Sequence, residues 1–318
     1  MPTGLEAYSG HAAALATSMF WMATSLFFTA AGKRLGPTHV NGVRLILAVI
    51  LLGVTHRMLT GYWIPETLGK QVAFLAVSGI VGLTIGDQAL LVSFIDVGPR
   101  ITLLIMTTSP LFAAFFGWMV LEETLPPMAW IGIAMTVSGV AWVILERSET
   151  PAEAWSHHRR RGILLAFVGA ACQAGGLLLS KQGMGHGWLA SDQHLDPQAA
   201  TLLRMVFAAL GFAPILIWHA LRENKAAAAG TPTKRVGSPR AGLAFTFCGA
   251  VVGPFLGVWC SLIAADRTPL GVAQSLSSLA PIFIIPVVAI LYKERITSRA
   301  VLGAAVAVGG SSLLVFQS

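Results

Sequence analysis

The stretch Gly82–Gly139 aligns with Gly253–Gly310 without a gap, each position having its counterpart 171 residues further on. Gly82 maps to Gly253, Gly86 to Gly257, Pro110 to Pro281, Phe112 to Phe283, Glu123 to Glu294, Gly132 to Gly303 and Gly139 to Gly310. Repetition at a fixed period means that one supersecondary unit is built twice, and it limits the fold more than composition can. Each copy is almost wholly apolar and long enough for three membrane helices, and two more apolar runs precede each copy. Five spans per half is an odd number, so the second half must enter a bilayer upside down. Inverted repeats of this kind place a site between the halves, near the membrane midplane.

Composition agrees with a membrane. Hydrophobic residues make up 55% of the 318 and charged residues 11%, with a mean hydropathy of +0.73. A soluble domain carries about 25% charge. Spanning the hydrocarbon core takes roughly 20 apolar residues, and ten such runs are expected at 10–32, 39–59, 72–95, 99–121, 128–145, 162–181, 199–219, 242–264, 270–291 and 299–316. The fold class expected is therefore all-α integral membrane, ten transmembrane helices as two inverted-topology five-helix repeats. Residues 1–147 form the first repeat, 148–161 a basic linker ending in His157-His158-Arg159-Arg160-Arg161, and 162–318 the second repeat. Residues 221–240 read as a flexible loop, and 186–198 as an extra loop holding Asp192 and Asp196. The first apolar run is too long for a signal peptide and is expected to stay as a span. Cys172, Cys248 and Cys260 all fall in spans, with no disulfide or zinc spacing.

The net charge of +7 sits in loops, where it orients the chain and meets anionic lipid, and it does not point to nucleic acid. Of the 21 Lys and Arg residues, fifteen fall on one face (Lys33, Arg34, Arg100, Arg147, Arg159 to Arg161, Arg222, Lys225, Lys234, Arg235, Arg240, Lys293, Arg295, Arg299). Only Arg57, Lys70, Lys181 and Arg267 share the face of the two termini. By the positive-inside rule the termini then lie outside the cytoplasm.

Each half orders its motifs alike. The first reads Gly79-Ile80-Val81-Gly82, Thr108-Ser109-Pro110-Leu111-Phe112, Glu122-Glu123-Thr124, then Gly132 to Gly139; the second reads Gly249 to Gly257, Leu279-Ala280-Pro281-Ile282-Phe283, Lys293-Glu294-Arg295, then Gly303 to Gly310. In this order the motifs resemble the EamA-type members of the drug/metabolite transporter superfamily, over essentially the whole chain. The resemblance implies ten spans, no nucleotide-binding domain, and export or exchange of small metabolites such as amino acids, sugars, nucleotide derivatives or drugs. It also implies termini in the cytoplasm, opposite to the loop charges.

Asp87 is the first candidate for chemistry. A carboxylate inside a span is costly and is a functional candidate by default, and desolvation there favours binding and releasing protons. Its repeat counterpart is Val258, so only one half carries the group; a structural pair with an Arg is the plainer alternative. Gln88 follows it. Arg44 and Arg204, in the second span of each half, could hold an anionic substrate group, or snorkel to the headgroups, which their place near helix ends favours. Lys181 is read the same way. Thr107, Thr108 and Ser109 precede Pro110, while Gln274, Ser275, Ser277 and Ser278 precede Pro281. Proline frees a carbonyl one turn back, which in a bilayer needs a hydroxyl, a neighbouring helix or water. These two segments should face each other and wall a substrate cavity, or the hydroxyls simply satisfy the kinked backbone. Trp21, Trp259 and Gln173 are further cavity candidates, with core packing the alternative for the two tryptophans. Trp118, Phe28 and Phe283 also lie within spans. Gly82/Gly86, Gly249/Gly253 and Gly253/Gly257 suit close helix packing, and Glu123 and Glu294 read as helix-end anchors on opposite faces.

These residues point to a secondary active transporter of a small metabolite, an amino acid or related compound, exported or exchanged by alternating access with proton coupling as an option. A lipid flippase and a facilitative uptake carrier are the alternatives. An intramembrane aspartyl protease would need a second helical aspartate, and a channel would need a continuous polar stripe. No cofactor or metal is expected. The partners are the small-molecule substrate and membrane lipids, with no nucleic acid, in a cell inner-membrane monomer or homodimer.

Overall fold

A computed structural model describes residues 4–121, 127–145, 157–186, 194–228, 237–268, 270–291 and 297–313. Among them every regular element is helical: α1 (Gly4–Leu35), α2 (Pro37–Thr60), α3 (Gly69–Ser78), α4 (Asp87–Asp96), α5 (Gly98–Met106), α6 (Ser109–Leu121), α7 (Pro127–Leu145), α8 (His157–Gly183), α9 (Pro197–Ala228), α10 (Pro239–Ala250), α11 (Val258–Arg267), α12 (Leu270–Ser277), α13 (Ala280–Leu291) and α14 (Ser298–Leu313). Two π-helical segments, Gly79–Gly86 and Val251–Gly257, join α3 to α4 and α10 to α11. The repeat is thus written into the element boundaries. Asp87 opens α4 as Val258 opens α11, and the breaks at Thr107-Thr108 and Ser278-Leu279 are also 171 apart.

Six stretches among the described residues are long and apolar enough to cross a membrane, against ten expected: Ser9–Leu35, Pro37–Thr60, Gly69–Asp96, His158–Gly183, Pro197–Lys225 and Pro239–Arg267. The fourth expected span of each half is two shorter helices, α5–α6 and α12–α13. The fifth spans contribute the shorter apolar stretches Trp130–Gly139 and Val301–Gly310. Ile46, Ile50, Leu164, Leu210, Ile217 and Leu302 are exposed on the outer surface, as a hydrocarbon solvent requires. The basic run at 157–161 is helical, forming the start of α8, and Arg161 there donates Nε and Nη2 to the two oxygens of Asp96, each at 2.8 Å. Likewise α9 continues to Ala228, past the expected start of the loop. Glu123, Glu294, Arg147 and Asp192 lie outside the described residues.

Local chemistry explains where the long helices begin and end. Gly36 takes φ +84° before Pro37 at the first position of α2, and Gly61 takes φ +83° at its end, where its N–H reaches Arg57 O. Helices are commonly ended by a left-handed glycine of this kind. Asp196 caps α9: its Oδ1 accepts the Gln198 N–H at 2.8 Å, with Pro197 in the first turn, where a missing N–H costs nothing.

Equivalent helices of the two halves cross antiparallel, the relation an inverted repeat produces. At one end of the α2·α9 pair His39 Nε2 lies 3.3 Å from Glu223 Oε2; at the other His56 Nδ1 lies 2.8 Å from Gln198 Oε1. The α7·α14 pair forms the most extensive helix contact, and there Thr136 Oγ1 lies 3.3 Å from the carbonyl of Ala307, its own repeat counterpart. The pseudo-two-fold axis therefore passes through both crossings. The third span of each half packs on the first span of the other. Gly82 and Gly86 lie against Gly176 and Cys172 of α8, and Gly253 lies against Thr24 of α1. Such close approach is what small residues permit.

Candidate functional site

The two π-helical segments set up the interior chemistry. In the first, the Asp87 N–H reaches back to Gly82 O, five residues away. That leaves the Leu83 carbonyl without its usual α-helical partner, and Arg44 Nη2 donates to it at 3.3 Å. Single π turns of this type occur often at functional sites. The same Nη2 donates to Asp87 Oδ2 at 2.7 Å, and Arg44 Nε donates to Asn41 Oδ1 at 2.9 Å. The chain of bonds continues from Asn41 Nδ2 to Gln88 Oε1 at 2.9 Å and from Gln88 Nε2 to Thr38 Oγ1 at 3.1 Å. The Arg44 guanidinium also sits 5.7 Å from the centre of the Phe28 ring.

Arg44 and Arg204 are 2% and 3% exposed, so neither snorkels; both are turned into the protein. They are structural equivalents, each seven residues after the proline that opens α2 or α9. Arg204 is close enough for its charge to act on Asp87. Its Nε has no hydrogen-bond partner. Bare backbone makes room for its guanidinium: a Cβ on Gly82 would stand 3.0 Å from Nη2, and one on Gly176 3.3 Å from Nη2 and 3.1 Å from Gly82 Cα. Gly176→Ala is therefore expected to destabilise the folded protein by about 1–3 kcal/mol, the usual cost of overpacking. A thermal melt in detergent measures it, and an unchanged midpoint would show that the crossing can open without cost.

One cavity lies beside this cluster, between α1, α2, α4 and the second π-helical segment. Asp87 and Val258 both line it, together with Arg44, Trp21, Phe28 and Pro254. The two members of the broken repeat pair thus share one cavity. Its polar contribution comes from the first half alone: Arg44, Asp87 and Thr24 of α1, whose buried Oγ1 has no partner.

A second cavity gathers the proline segments. Ser109 from the first half and Gln274, Ser277, Ser278 and Pro281 from the second line it, with Gln173, Ser261, Thr17 and Trp21. Pro110 and Pro281 each stand second in a new helix, α6 or α13, a position that tolerates a missing N–H. The breaks therefore fall two or three residues before each proline. There the Thr107 and Thr108 hydroxyls donate to Leu104 O and Ile105 O, both at 2.7 Å, and Ser278 Oγ donates to Gln274 O at 2.8 Å. These hydroxyls are spent on backbone, whereas Ser109 Oγ and Gln274 Nε2 are buried and have no partner. Unpaired buried polar groups are rare, and each needs an explanation.

Other sequence candidates fall elsewhere. Trp259 lines neither cavity and packs on Phe255 with ring centres 6.0 Å apart. Lys181 Nζ donates to Thr268 O at 3.2 Å near the end of α8. Gln88 belongs to the Arg44 network and lines neither cavity. Sequence reasoning missed Asn41 and Thr38, which orient Arg44 and Gln88, and Thr17 and Ser261, which complete the second cavity. One signal was present: Asn41 stands three residues before Arg44, within one helical turn on the same face.

A buried ion pair and unpaired polar groups face interior cavities inside a helical frame with an apolar exterior, the build of a multi-helix membrane protein. The profile of the EamA-like transporter family matches residues 8–145 and 160–316, and the chain belongs to that family. No match was found among curated proteins. A solved crystal structure, described only as that of a protein, aligns over 97% of this chain and 96% of its own length with a TM-score of 0.65 and 16% identity. At that identity the likeness is one of fold.

Proposed function

We propose that this protein is a secondary active transporter of a small polar metabolite, an amino acid or related compound, in the cell inner membrane, exporting or exchanging it by alternating access. The broken helices and the shorter fifth helices are read as completing ten spans. The observation that carries the reading is the second cavity, where Ser109 Oγ and Gln274 Nε2, one from each half, are buried without partners. Groups left open in this way are what a substrate's own donors and acceptors would satisfy on entering. Because the cavity lies between the halves, rocking one half against the other would expose it to either side in turn. Trp21 lines both cavities, so a substrate in one lies next to the Asp87–Arg44 pair in the other. This supports a coupling role for Asp87, with protonation breaking the pair and freeing Arg44.

Reconstitution in liposomes tests this, with an imposed proton gradient and a panel of labelled amino acids and related metabolites. Uptake should follow the gradient, and Ser109→Ala or Gln274→Ala should raise KM about tenfold, the effect of one lost hydrogen bond of about 1.4 kcal/mol. Activity confined to fluorescent lipids would replace this reading with a flippase. Transport indifferent both to the gradient and to Asp87→Asn would remove proton coupling.

A further inference from the structure

We infer that His39, His219 and Glu223 form a binding site for a divalent transition-metal ion that staples the two halves together at one membrane face. His219 and Glu223 are four residues apart on α9 and so share a helical face. His39 comes from the other half, on the first turn of α2. Its Nε2 lies 3.3 Å from Glu223 Oε2, and His219 Nδ1 lies 3.9 Å from Glu223 Oε1. The three ligand atoms all fall within 4.8 Å of one another, and the two imidazoles meet edge to face with ring centres 5.3 Å apart.

Zinc bonds of about 2.0–2.2 Å to nitrogen and oxygen put neighbouring tetrahedral ligand atoms roughly 3.4 Å apart. The observed separations bracket that value, so side-chain rotation alone closes the site, and the fourth position is left to water. Two imidazoles and one carboxylate select zinc, copper or nickel over magnesium and calcium, which prefer all-oxygen sets. The side chains of His39, His219 and Glu223 are 27%, 34% and 22% exposed. An ion can reach them, yet the helices hold them in place.

The position gives the site a consequence. The α2·α9 crossing is one of the two places where equivalent helices of the halves meet on the pseudo-two-fold axis. A metal bound there adds coordination bonds between the halves at the face opposite the termini. Bound to the folded chain and not to the unfolded one, it raises stability by mass action. If the halves rock, it also holds that face shut, a step that rests on the transport reading above. A second group, His186, His194 and Asp266, lies at the other face within the second half alone, and its removal isolates the first.

The test is zinc binding by the tag-free full chain in detergent, carrying His186→Ala and His194→Ala. Equilibrium dialysis should find one tight Zn2+ per chain, accompanied by a rise in melting temperature. Adding His219→Ala or Glu223→Gln should weaken that binding at least tenfold and abolish the rise. Tight binding that survives both substitutions, or no tight binding before they are made, overturns the site. Liposome assays then read the staple separately: Zn2+ should slow uptake by the protein with His39, His219 and Glu223 intact and leave His219→Ala unaffected. Binding without any slowing overturns the staple. Absence of uptake under every condition, with binding intact, counts against the transport reading and not against the metal site.

Discussion

Asp87→Asn is expected to abolish coupled transport and to destabilise the folded protein by about 3–5 kcal/mol, the cost of removing one partner from a buried ion pair. Arg44 Nη2 and Asp87 Oδ2 lie 2.7 Å apart with side chains only 3% and 9% exposed. Asparagine can still accept a hydrogen bond, but it carries no charge. Two buried guanidiniums, Arg44 and Arg204, would then share an interior with no carboxylate between them. Their Coulomb energy in a low-dielectric surrounding has no outlet except rearrangement or water entry. The double variant Asp87→Asn, Arg44→Gln removes one of those charges together with its partner, and should recover most of the lost stability. The cycle of single and double variants gives the coupling energy directly. Thermal melts and liposome uptake separate the two roles: in the double variant the melt should return while coupled uptake stays absent. A double variant that both melts and transports normally would reduce Asp87 to scaffold. A single variant with an unshifted melt would show that the pair contributes nothing to stability.

Gly139→Leu or Gly310→Leu should each prevent a stable fold, through the second crossing on the pseudo-two-fold axis. A Cβ on Gly139 would stand 2.6 Å from both Ala307 N and Gly303 O, and one on Gly310 2.5 Å from Thr136 N and 2.6 Å from Gly132 O. These are backbone atoms, so no side chain can turn aside. Even alanine should cost more than the usual 1–3 kcal/mol or so of overpacking, because α7 and α14 must move apart along their whole contact. Gly309 is the control on the same helix. Its Cβ would meet nothing closer than Met135 Cε at 4.0 Å, and Gly309→Ala should be neutral or stabilising by up to about 1 kcal/mol from helix propensity. Monodispersity by gel filtration and melting temperature in detergent check all three. A monodisperse, normally melting Gly139→Leu would show that the α7·α14 crossing is not close-packed.

Most of the architecture was legible because membrane helices announce themselves by length and apolarity, and because the copied segment repeats without a gap. The positions of the breaks were only approximate. Pro110 and Pro281 marked the right neighbourhood, but each proline starts a helix in its first turn, so the interruption falls upstream, at Thr107-Thr108 and Ser278-Leu279. The π-helical segments had a weaker signal. Pro254 lacks an N–H for an α-helical bond, yet Leu83, its repeat counterpart, forms the same kind of segment without one. Packing of Gly82 and Gly86 on α8 accompanies it, and that contact lies far away in sequence.

The candidate site was half readable. Asp87, Arg44 and Arg204 stood out one by one, since each is expensive in an apolar run. That Arg44 takes Asp87 could not be read, because the two lie 43 residues apart and meet only through the angle at which α2 crosses the third span. Helix-end position suggested snorkelling for both arginines, and burial by neighbouring helices overrode it. Among the hydroxyls before the prolines, residue type was no guide. Thr107 and Thr108 turn back to their own helix, while Ser109 alone of the three lines a cavity.

An all-helical membrane chain, two copies of one repeat and the short set of polar residues inside it follow from the order of the residues alone. Periodicity and apolar length are local quantities, and the duplication is a matter of spelling. Tertiary structure decided which of those polar residues are already satisfied and which stay open. A hydrogen bond is satisfied or not over a few tenths of an ångström. Those tenths are set by how closely the Gly-lined helices of opposite halves approach, and the same contacts put Asp87 and its unmatched counterpart Val258 on one cavity.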